Sequence, residues 1–272
     1  MRNRPIVLFV DDDVDTRDMY AWSLEARGFE VMSAGMVGAG VTLAAQHRPD
    51  VIVTDFTLPG EDGFALATRV RATTGIEDTP IVLVSGRSFV GDSGTRAMQL
   101  FDRVLLKPVL PDQLIDQMVP LLLDRGAAAL QRQLRAVQSR LDGIPRTSDV
   151  SRVLAAVTEV ADGEPTAALL ADSAAHYIAV NDAACRLTGR SREELLSLSV
   201  WDLTPQLAVP DGRQAWARFV ETGALSGAYV LRTPSGTAVS ARFASCANIL
   251  PGCHLSLLEQ VPPALTGPVV HP

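Results

Sequence analysis

Val51-Ile52-Val53-Thr54-Asp55 is a short apolar run that ends in an aspartate. A continuous apolar run bounded by polar residues is typical of a strand that is buried on both faces. Four further strands are predicted, at residues 6–10, 30–33, 81–84 and 104–106. Segments with helical spacing separate the strands. The pattern therefore predicts an α/β fold, a doubly wound, five-stranded parallel sheet with helices on both faces.

Polar side chains that can take part in chemistry follow four of the five strands. They are Asp11, Asp12 and Asp13 after the first strand, Asp55 after the third, Ser85 after the fourth and Lys107 after the fifth. Ligands of doubly wound sheets bind beyond the carboxyl ends of the strands, so we expect these side chains at one rim. A bound Mg²⁺ would relieve the repulsion between the carboxylates, and the set predicts phosphoryl transfer onto a carboxylate. A single aspartate after a strand can also be a helix N-cap, as Asp13 or Asp15 can be here.

Residues 5 to about 124 resemble the receiver domain of bacterial two-component response regulators, a flavodoxin-like fold. The matching motifs are Val7-Leu8-Phe9-Val10-Asp11-Asp12-Asp13, Val53-Thr54-Asp55-Phe56-Thr57-Leu58-Pro59-Gly60-Glu61-Asp62-Gly63-Phe64, Val84-Ser85-Gly86 and Leu106-Lys107-Pro108. The resemblance implies that Asp55 is the phosphoacceptor. It also implies that Asp12, Asp55 and the backbone carbonyl of Thr57 hold Mg²⁺, with Asp11 joining mostly through water, and that Ser85 and Lys107 bind the phosphoryl group.

Two features depart from the family pattern. Receivers usually carry Tyr or Phe three residues before the lysine, whereas this chain has Val104. Residues 89–102 also lack the usual small-residue pattern after the fourth strand. We therefore expect the phosphorylation chemistry to be kept and the route by which the signal leaves the domain to differ.

Apolar residues at alternating spacings of four and three follow the last predicted helix of the sheet domain. They are Leu123, Ala127, Leu130, Leu134, Val137 and Leu141. Such a stripe fits either a helix that packs on its own domain or a short dimeric coiled coil, and we favour the coiled coil. A second amphipathic helix is predicted at residues 148–161, after the helix-breaking residues 143–145.

Residues 165–260 resemble a PAS domain, an α+β fold with an antiparallel sheet. The resemblance rests on Val180-Asn181-Asp182-Ala183-Ala184-Cys185, Leu187-Thr188-Gly189-Arg190-Ser191-Arg192-Glu193-Glu194-Leu195, Val200-Trp201-Asp202-Leu203-Thr204-Pro205 and Arg232-Thr233-Pro234-Ser235-Gly236-Thr237. We expect neither haem nor flavin, because His176 and His254 lie outside the helices where haem-binding relatives place their ligand, and no cysteine stands near Val200. Trp201 and Trp216 fit a core role better than a ligand cavity.

Four segments are predicted: a receiver at residues 1–124, a helical linker at 125–162, a PAS-like sensor or dimerisation domain at 163–261 and a disordered, proline-rich tail at 262–272. The net charge of −7 argues against direct DNA binding, and no apolar run is long enough for a membrane span. The three cysteines form no CxxC pair, which favours a reducing cytoplasm.

The leading hypothesis is a response regulator that receives phosphate from a histidine kinase or phosphotransfer protein and relays the change by protein contacts, as a homodimer through the linker and PAS domain. Such a receiver is not an enzyme beyond its own phosphorylation and slow autodephosphorylation. Two alternatives are a degenerate receiver that serves as a scaffold or PAS-ligand sensor, and a Mg²⁺-dependent aspartyl phosphatase. The phosphatase motif DxDxT or DxDxV fails here, because Asp15 or Arg17 occupies its fifth position.

Overall fold

The computed structural model describes residues 4–142, 149–161, 166–203 and 209–266. These residues form two compact units. The first unit contains the described residues up to Asp124 together with residues 262–266, and the second contains the described residues from Arg125 to Val261. None of the described helices combines the length and apolar character that a membrane crossing needs.

A five-stranded parallel sheet forms the centre of the first unit, as predicted. Its strands are β1 (Ile6–Val10), β2 (Glu30–Ala34), β3 (Val51–Asp55), β6 (Ile81–Ser85) and β7 (Arg103–Leu106), in the order β2-β1-β3-β6-β7. A two-residue pair, β4 (Thr57–Leu58) and β5 (Glu61–Asp62), follows β3. Every residue of β1, β3 and β6 is buried, which explains why their sequences are continuous apolar runs rather than alternating ones.

Helices cover the sheet of the first unit. They are α1 (Val14–Ala26), α2 (Val37–His47), α3 (Gly63–Arg71), α4 (Gly91–Leu100) and the first part of α5 (Pro111–Leu141). α3 begins directly against the end of β3, since a Cβ atom on Gly63 would lie 2.8 Å from the carbonyl oxygen of Asp55. Only glycine allows this approach, which holds the loop after Asp55 tightly.

The proline-rich end of the chain is partly ordered, so the expectation of a disordered tail is wrong for its first residues. Pro263–Leu265 form a 3-10 helix, and the Leu265 side chain is buried in the first unit. Ala264 lies 3.6 Å from the position that a Cβ atom on Gly28 would take. Burial of these apolar side chains stabilises the segment despite its prolines. Residues 267–272 lie outside the described residues.

The second unit is an antiparallel sheet with helices, as predicted from its mixed pattern. Its strands are β8 (Ala167–Asp172), β9 (Tyr177–Val180), β10 (Ala224–Arg232), β11 (Ala238–Leu250) and β12 (Cys253–Gln260), in the order β10-β11-β12-β8-β9. Its helices are the last part of α5, α6 (Val150–Glu159), α7 (Asp182–Thr188), α8 (Arg192–Leu196), α9 (Val200–Leu203) and α10 (Val209–Thr222). α8 begins with a complete capping box between Ser191 and Glu194.

The apolar stripe of α5 packs within its own unit, which corrects our preference for a dimeric coiled coil. Leu130, Leu134 and Val137 are buried in one cluster with Val153 and Val157 of α6 and with apolar residues of the sheet. Strand residues on the other face of the sheet belong to a separate cluster. Apolar residues at this spacing can pack on a sheet as well as on a second helix. Here α6 and the sheet cover the stripe, so it is not available to a partner helix.

A buried ion pair lies under α5 in the second unit. Arg242 of β11 stands opposite Glu259 of β12, and its Nε donates to a Glu259 carboxylate oxygen at 2.7 Å. Both side chains are almost fully buried. A Cβ atom on Gly126 of α5 would lie 1.8 Å from a terminal nitrogen of Arg242. The missing side chain at Gly126 therefore makes room for the guanidinium against the helix.

Candidate functional site

The parallel sheet brings the predicted carboxylates together at the carboxyl ends of its strands. One oxygen from each of Asp11, Asp12 and Asp55 lies within 4.8 Å of the other two. Asp11 and Asp55 are buried, whereas Asp12 is exposed. We call these three residues, with Ser85 and Lys107, the acidic pocket.

Lys107 spans the acidic pocket. Its ammonium lies 2.9 Å from a carboxylate oxygen of Asp55 and 3.4 Å from one of Asp11. Lys107 is the only lysine among the 272 residues, and every other basic side chain apart from histidine is an arginine. A compact, rotatable ammonium fits between two carboxylates where a planar guanidinium would impose its own fork geometry.

Burial and the contacts of Lys107 act together on the pKa values of two pocket residues, Lys107 and Asp11. Burial acts to lower the pKa of Lys107, but the hydrogen bond to Asp55 and the charges of Asp11 and Asp55 outweigh burial, so this pKa is raised. Burial also raises the pKa of Asp11, against the opposing effects of the Asp13 amide and Lys107. The Lys107 ammonium lies 2.9 Å from Asp55 and 3.4 Å from Asp11, so the buried Asp11 carboxylate is the less closely paired of the two, and a further cation would stabilise its charge.

Backbone and side-chain contacts fix the loop after β1. Asp13 is the N-cap of α1 and accepts hydrogen bonds from the amide of Asp15 and, at 2.6 Å, from the hydroxyl of Thr16. Arg17 donates to the carbonyl oxygens of Asp11 and Asp12, at 2.7 and 3.1 Å. The third aspartate of the run is thus a cap, which leaves the first two for the pocket.

Thr57 lies just after β3, and Ser85 is the last residue of the neighbouring strand β6. The amide of Thr57 donates to a carboxylate oxygen of Asp55 at 3.2 Å. Ser85 is fully buried at the end of β6, and its hydroxyl donates to the carbonyl oxygen of Arg87 at 2.8 Å. Val104 of β7 is 43% exposed, so the position that is usually aromatic presents a small apolar side chain to solvent.

The second unit contains a mostly apolar cavity of about 180 Å³ between one face of its sheet and the helices. The cavity is lined by Leu169, Tyr177, Val200, Trp201, Leu203, Trp216, Phe219, Leu225, Ala228, Tyr229, Phe243, Ser245, Ser256 and Leu258. Trp201 and Trp216 therefore line a cavity, whereas from the sequence we favoured a core role for both. Ser245 and Ser256 hydrogen-bond to each other at 2.8 Å and form a polar part of the wall.

His254 packs against two rings that line this cavity, those of Trp216 and Phe219, and was considered from the sequence only as a haem ligand. It is 2% exposed, and its ring centroid lies 5.2 Å from that of Trp216 and 5.7 Å from that of Phe219. Its Nδ1 accepts from the amide of Asn248 at 3.2 Å, which assigns the proton to Nε2. Burial lowers the pKa of His254, so the ring is neutral near pH 7. Nε2 has no hydrogen-bond partner among the described residues.

Comparison with known proteins finds two known domains in the chain. Residues 7–119 match the response regulator receiver domain, and residues 165–250 match a PAS domain. Transcriptional regulatory protein PrrA of Mycobacterium tuberculosis is 35% identical over 125 residues, which cover 46% of this chain and 53% of that protein. The DNA-binding dual master transcriptional regulator RpaA of Synechocystis is 27% identical over 150 residues, which cover 55% of this chain and 56% of that protein.

The curated relatives match between 40% and 55% of this chain. The chain spans about half the length of the curated relatives it matches first. Among solved structures, the chemotaxis response regulator CheY4 of Vibrio cholerae is 26% identical, with a TM-score of 0.41, and the match covers 43% of this chain and 98% of that one. The chain therefore contains a match to the response regulator receiver domain at residues 7–119, followed by a match to a PAS domain at residues 165–250.

Proposed function

We propose that the chain is the response regulator of a two-component phosphorelay, and that Asp55 accepts a phosphoryl group from a histidine kinase or a phosphotransfer protein. The observation that carries this proposal is the contact of the Lys107 ammonium with Asp55 at 2.9 Å, beside two further carboxylates at the same sheet edge. A nucleophilic carboxylate next to a fixed cation is the arrangement that phosphoryl transfer onto aspartate requires.

The step proposed for Asp55 is a displacement at phosphorus. One carboxylate oxygen of Asp55 attacks, a P–O bond forms, and the bond to the donor breaks with its electron pair on the leaving imidazole. Lys107 is placed to hold one phosphoryl oxygen, and Ser85 to donate its hydroxyl proton to another. Asp11, Asp12, Asp55 and the carbonyl of Thr57 would hold Mg²⁺, which neutralises charge on the transferred group. The buried Asp11 carboxylate lies farther from the Lys107 ammonium than Asp55 does, and such a cation would stabilise its negative charge.

The proposed output is contact with other proteins in the cytoplasm. The relatives PrrA and RpaA are named as transcriptional regulators, but a PAS domain stands here after the receiver. The net charge of −7 also favours protein partners over nucleic acid. We propose that the helices of residues 125–162 and the PAS domain relay the change. A homodimer would need a surface other than the stripe of α5, since that stripe is buried.

Intact-mass spectrometry of the full chain with acetyl phosphate tests this function. We expect the mass of one phosphoryl group to be added in Mg²⁺ and none in excess EDTA, because the carboxylates need a cation to accept a further anion. Sedimentation of the same samples reports any change in association. A chain that gains no mass in Mg²⁺ would be a scaffold, and the phosphorelay proposal would be rejected.

A second candidate function, ligand sensing, is favoured by the cavity of the second unit, whose mostly apolar wall includes the hydroxyls of Ser245 and Ser256. The hydrogen bond between these two hydroxyls uses only one of their two protons, so the other can be donated to a ligand that carries an acceptor. Apolar cavities of about 150 Å³ bind benzene, so a cavity of about 180 Å³ suits a small, neutral, mostly apolar molecule with one acceptor.

Acetophenone and α-methylstyrene are matched probes for the cavity, because they share a shape and only acetophenone has an acceptor. We expect acetophenone to bind about fivefold more tightly, as one hydrogen bond contributes roughly 1 kcal/mol, measured by quenching of tryptophan fluorescence. Replacing Ser245 and Ser256 together by alanine should remove this preference while both probes still bind. Equal affinities in the unchanged chain would reject the role of the two hydroxyls.

A further inference from the structure

Arg87 is attached to the acidic pocket at two points. Its carbonyl oxygen accepts from the hydroxyl of Ser85 at 2.8 Å, and its amide donates back to the same hydroxyl oxygen at 3.1 Å. Its guanidinium carbon lies 4.1 Å from the ring centroid of Phe56, the residue after Asp55. The backbone of Arg87 thus contacts one pocket residue, and its side chain contacts the neighbour of another.

The ring under Arg87 belongs to a group of phenylalanines, which we call the phenylalanine cluster: Phe56, Phe64, Phe89 and Phe101. The centroid of Phe89 lies 5.1 Å from that of Phe56 and 5.4 Å from that of Phe64. Phe64 in turn lies 5.5 Å from Phe101. Phe89 precedes the first residue of α4 by two positions, and Phe101 follows its last residue. The cluster therefore connects the residue after Asp55 with both ends of α4.

β7 offers no comparable connection. Its residues are Arg-Val-Leu-Leu, and three of the four, including Val104, are exposed. Val104 has no ring and no polar group, so it can neither turn into a pocket nor form a hydrogen bond there. Any rearrangement in this receiver that uses aromatic packing must involve rings elsewhere in the domain.

We propose that Arg87 is a positioning residue that transmits phosphorylation of Asp55 through the phenylalanine cluster to α4. This inference rests on the proposed phosphorylation. Ser85 has one hydroxyl proton, so donation to a phosphoryl oxygen takes that proton from the carbonyl of Arg87. The new dianion also attracts the guanidinium away from the face of Phe56. Both changes act on one residue, and the segment from Arg87 to Phe89 moves against Phe56.

Fluorine NMR of the full chain labelled with 4-fluorophenylalanine tests the inference. The chain has eight phenylalanines, so eight resonances can be assigned by single Phe→Leu variants. Each sample is treated with acetyl phosphate and Mg²⁺, and its added mass is measured in parallel. We expect the resonances of Phe56 and Phe89 to shift on phosphorylation, while that of Phe29, which is buried outside the cluster, stays in place.

Arg87→Ala and Arg96→Ala form the matched pair of variants. The guanidinium carbon of Arg96 also lies over a ring of the cluster, 4.8 Å from the centroid of Phe64, whereas Arg87 lies over Phe56 and Phe89. Arg87→Ala should still gain phosphoryl mass, and when compared at equal added mass it should lose most of the shift of Phe56 and Phe89. Arg96→Ala should move the resonance of Phe64 and keep the shift of Phe56.

The outcomes separate the inference from the function on which it rests. Absence of added mass would reject the proposed phosphorylation, and the inference with it. Added mass with unmoved Phe56 and Phe89 resonances would overturn the inference alone. A full shift in the phosphorylated Arg87→Ala chain would also overturn it, because the cluster would then respond without Arg87.

Discussion

Asp55→Asn is expected to abolish phosphorylation, with no phosphoryl mass added from acetyl phosphate and Mg²⁺ or from a phosphorylated histidine kinase. The amide of asparagine has nearly the shape of the carboxylate but is not a nucleophile toward phosphorus. The fold should persist, because the change also removes one of three negative charges that lie within 4.8 Å. Intact mass and circular dichroism of the same samples measure both expectations.

Two further aspartate variants control for the loss of charge. Asp18→Asn, on the exposed side of α1, should accept phosphate as the unchanged chain does. Asp12→Asn keeps the proposed nucleophile and removes one metal ligand, so phosphorylation should need a higher Mg²⁺ concentration. Phosphoryl mass on the Asp55→Asn chain would show that the acceptor is another residue and would refute the assignment.

Gly126→Ala is expected to destabilise the second unit by about 2–4 kcal/mol, since breaking a buried ion pair costs ~3–5 kcal/mol and the gain in helix propensity returns only ~1 kcal/mol. A methyl group at Gly126 would occupy the place of the Arg242 guanidinium. That group can leave only by giving up its 2.7 Å contact with Glu259. Alanine, normally the better helix residue, is therefore the worse one here.

Urea unfolding of a Trp22→Phe chain measures the stability of the second unit, because the remaining tryptophans, Trp201 and Trp216, both lie in it. Gly38→Ala is the matched control. Gly38 lies in α2, with nothing within 4 Å of its Cβ position, and this change should leave the second unit unaffected.

A background without the ion pair separates helix propensity from contact with Arg242. With Arg242 and Glu259 both replaced by methionine, Gly126→Ala should become stabilising, since no guanidinium remains to be displaced. A Gly126→Ala chain as stable as the unchanged one would mean that Arg242 can move at no cost.

The sheet of the receiver and the placement of its pocket residues could be predicted because both depend on local pattern. A strand buried on both faces must be apolar throughout, so β1, β3 and β6 are visible as short runs. Parallel strands end at one edge, so the residues that follow them meet. The roles of Asp55, Ser85, Lys107 and Thr57 stay predictions until phosphorylation is measured.

The features that the sequence did not reveal depend on contacts distant in the chain. α4 was not predicted, because Gly91-Asp92-Ser93-Gly94 is a poor helix start by propensity alone. The stripe of α5 has the same spacing whether a second helix or a sheet covers it, and only the fold of residues 166–261 decides between them. His254 is one residue in an ordinary strand, and its missing partner appears only once the helices are in place.

The single lysine of the chain has a practical consequence for anyone who labels or immobilises this protein. Reagents that react with primary amines find only the α-amino group and the ammonium that touches Asp55. Amine coupling to a sensor surface or lysine cross-linking would therefore attach the protein through its own phosphorylation pocket whenever it does not attach through the α-amino group. The same property makes reductive methylation with ¹³C-formaldehyde a source of one internal NMR signal, located where the phosphoryl group is expected to bind.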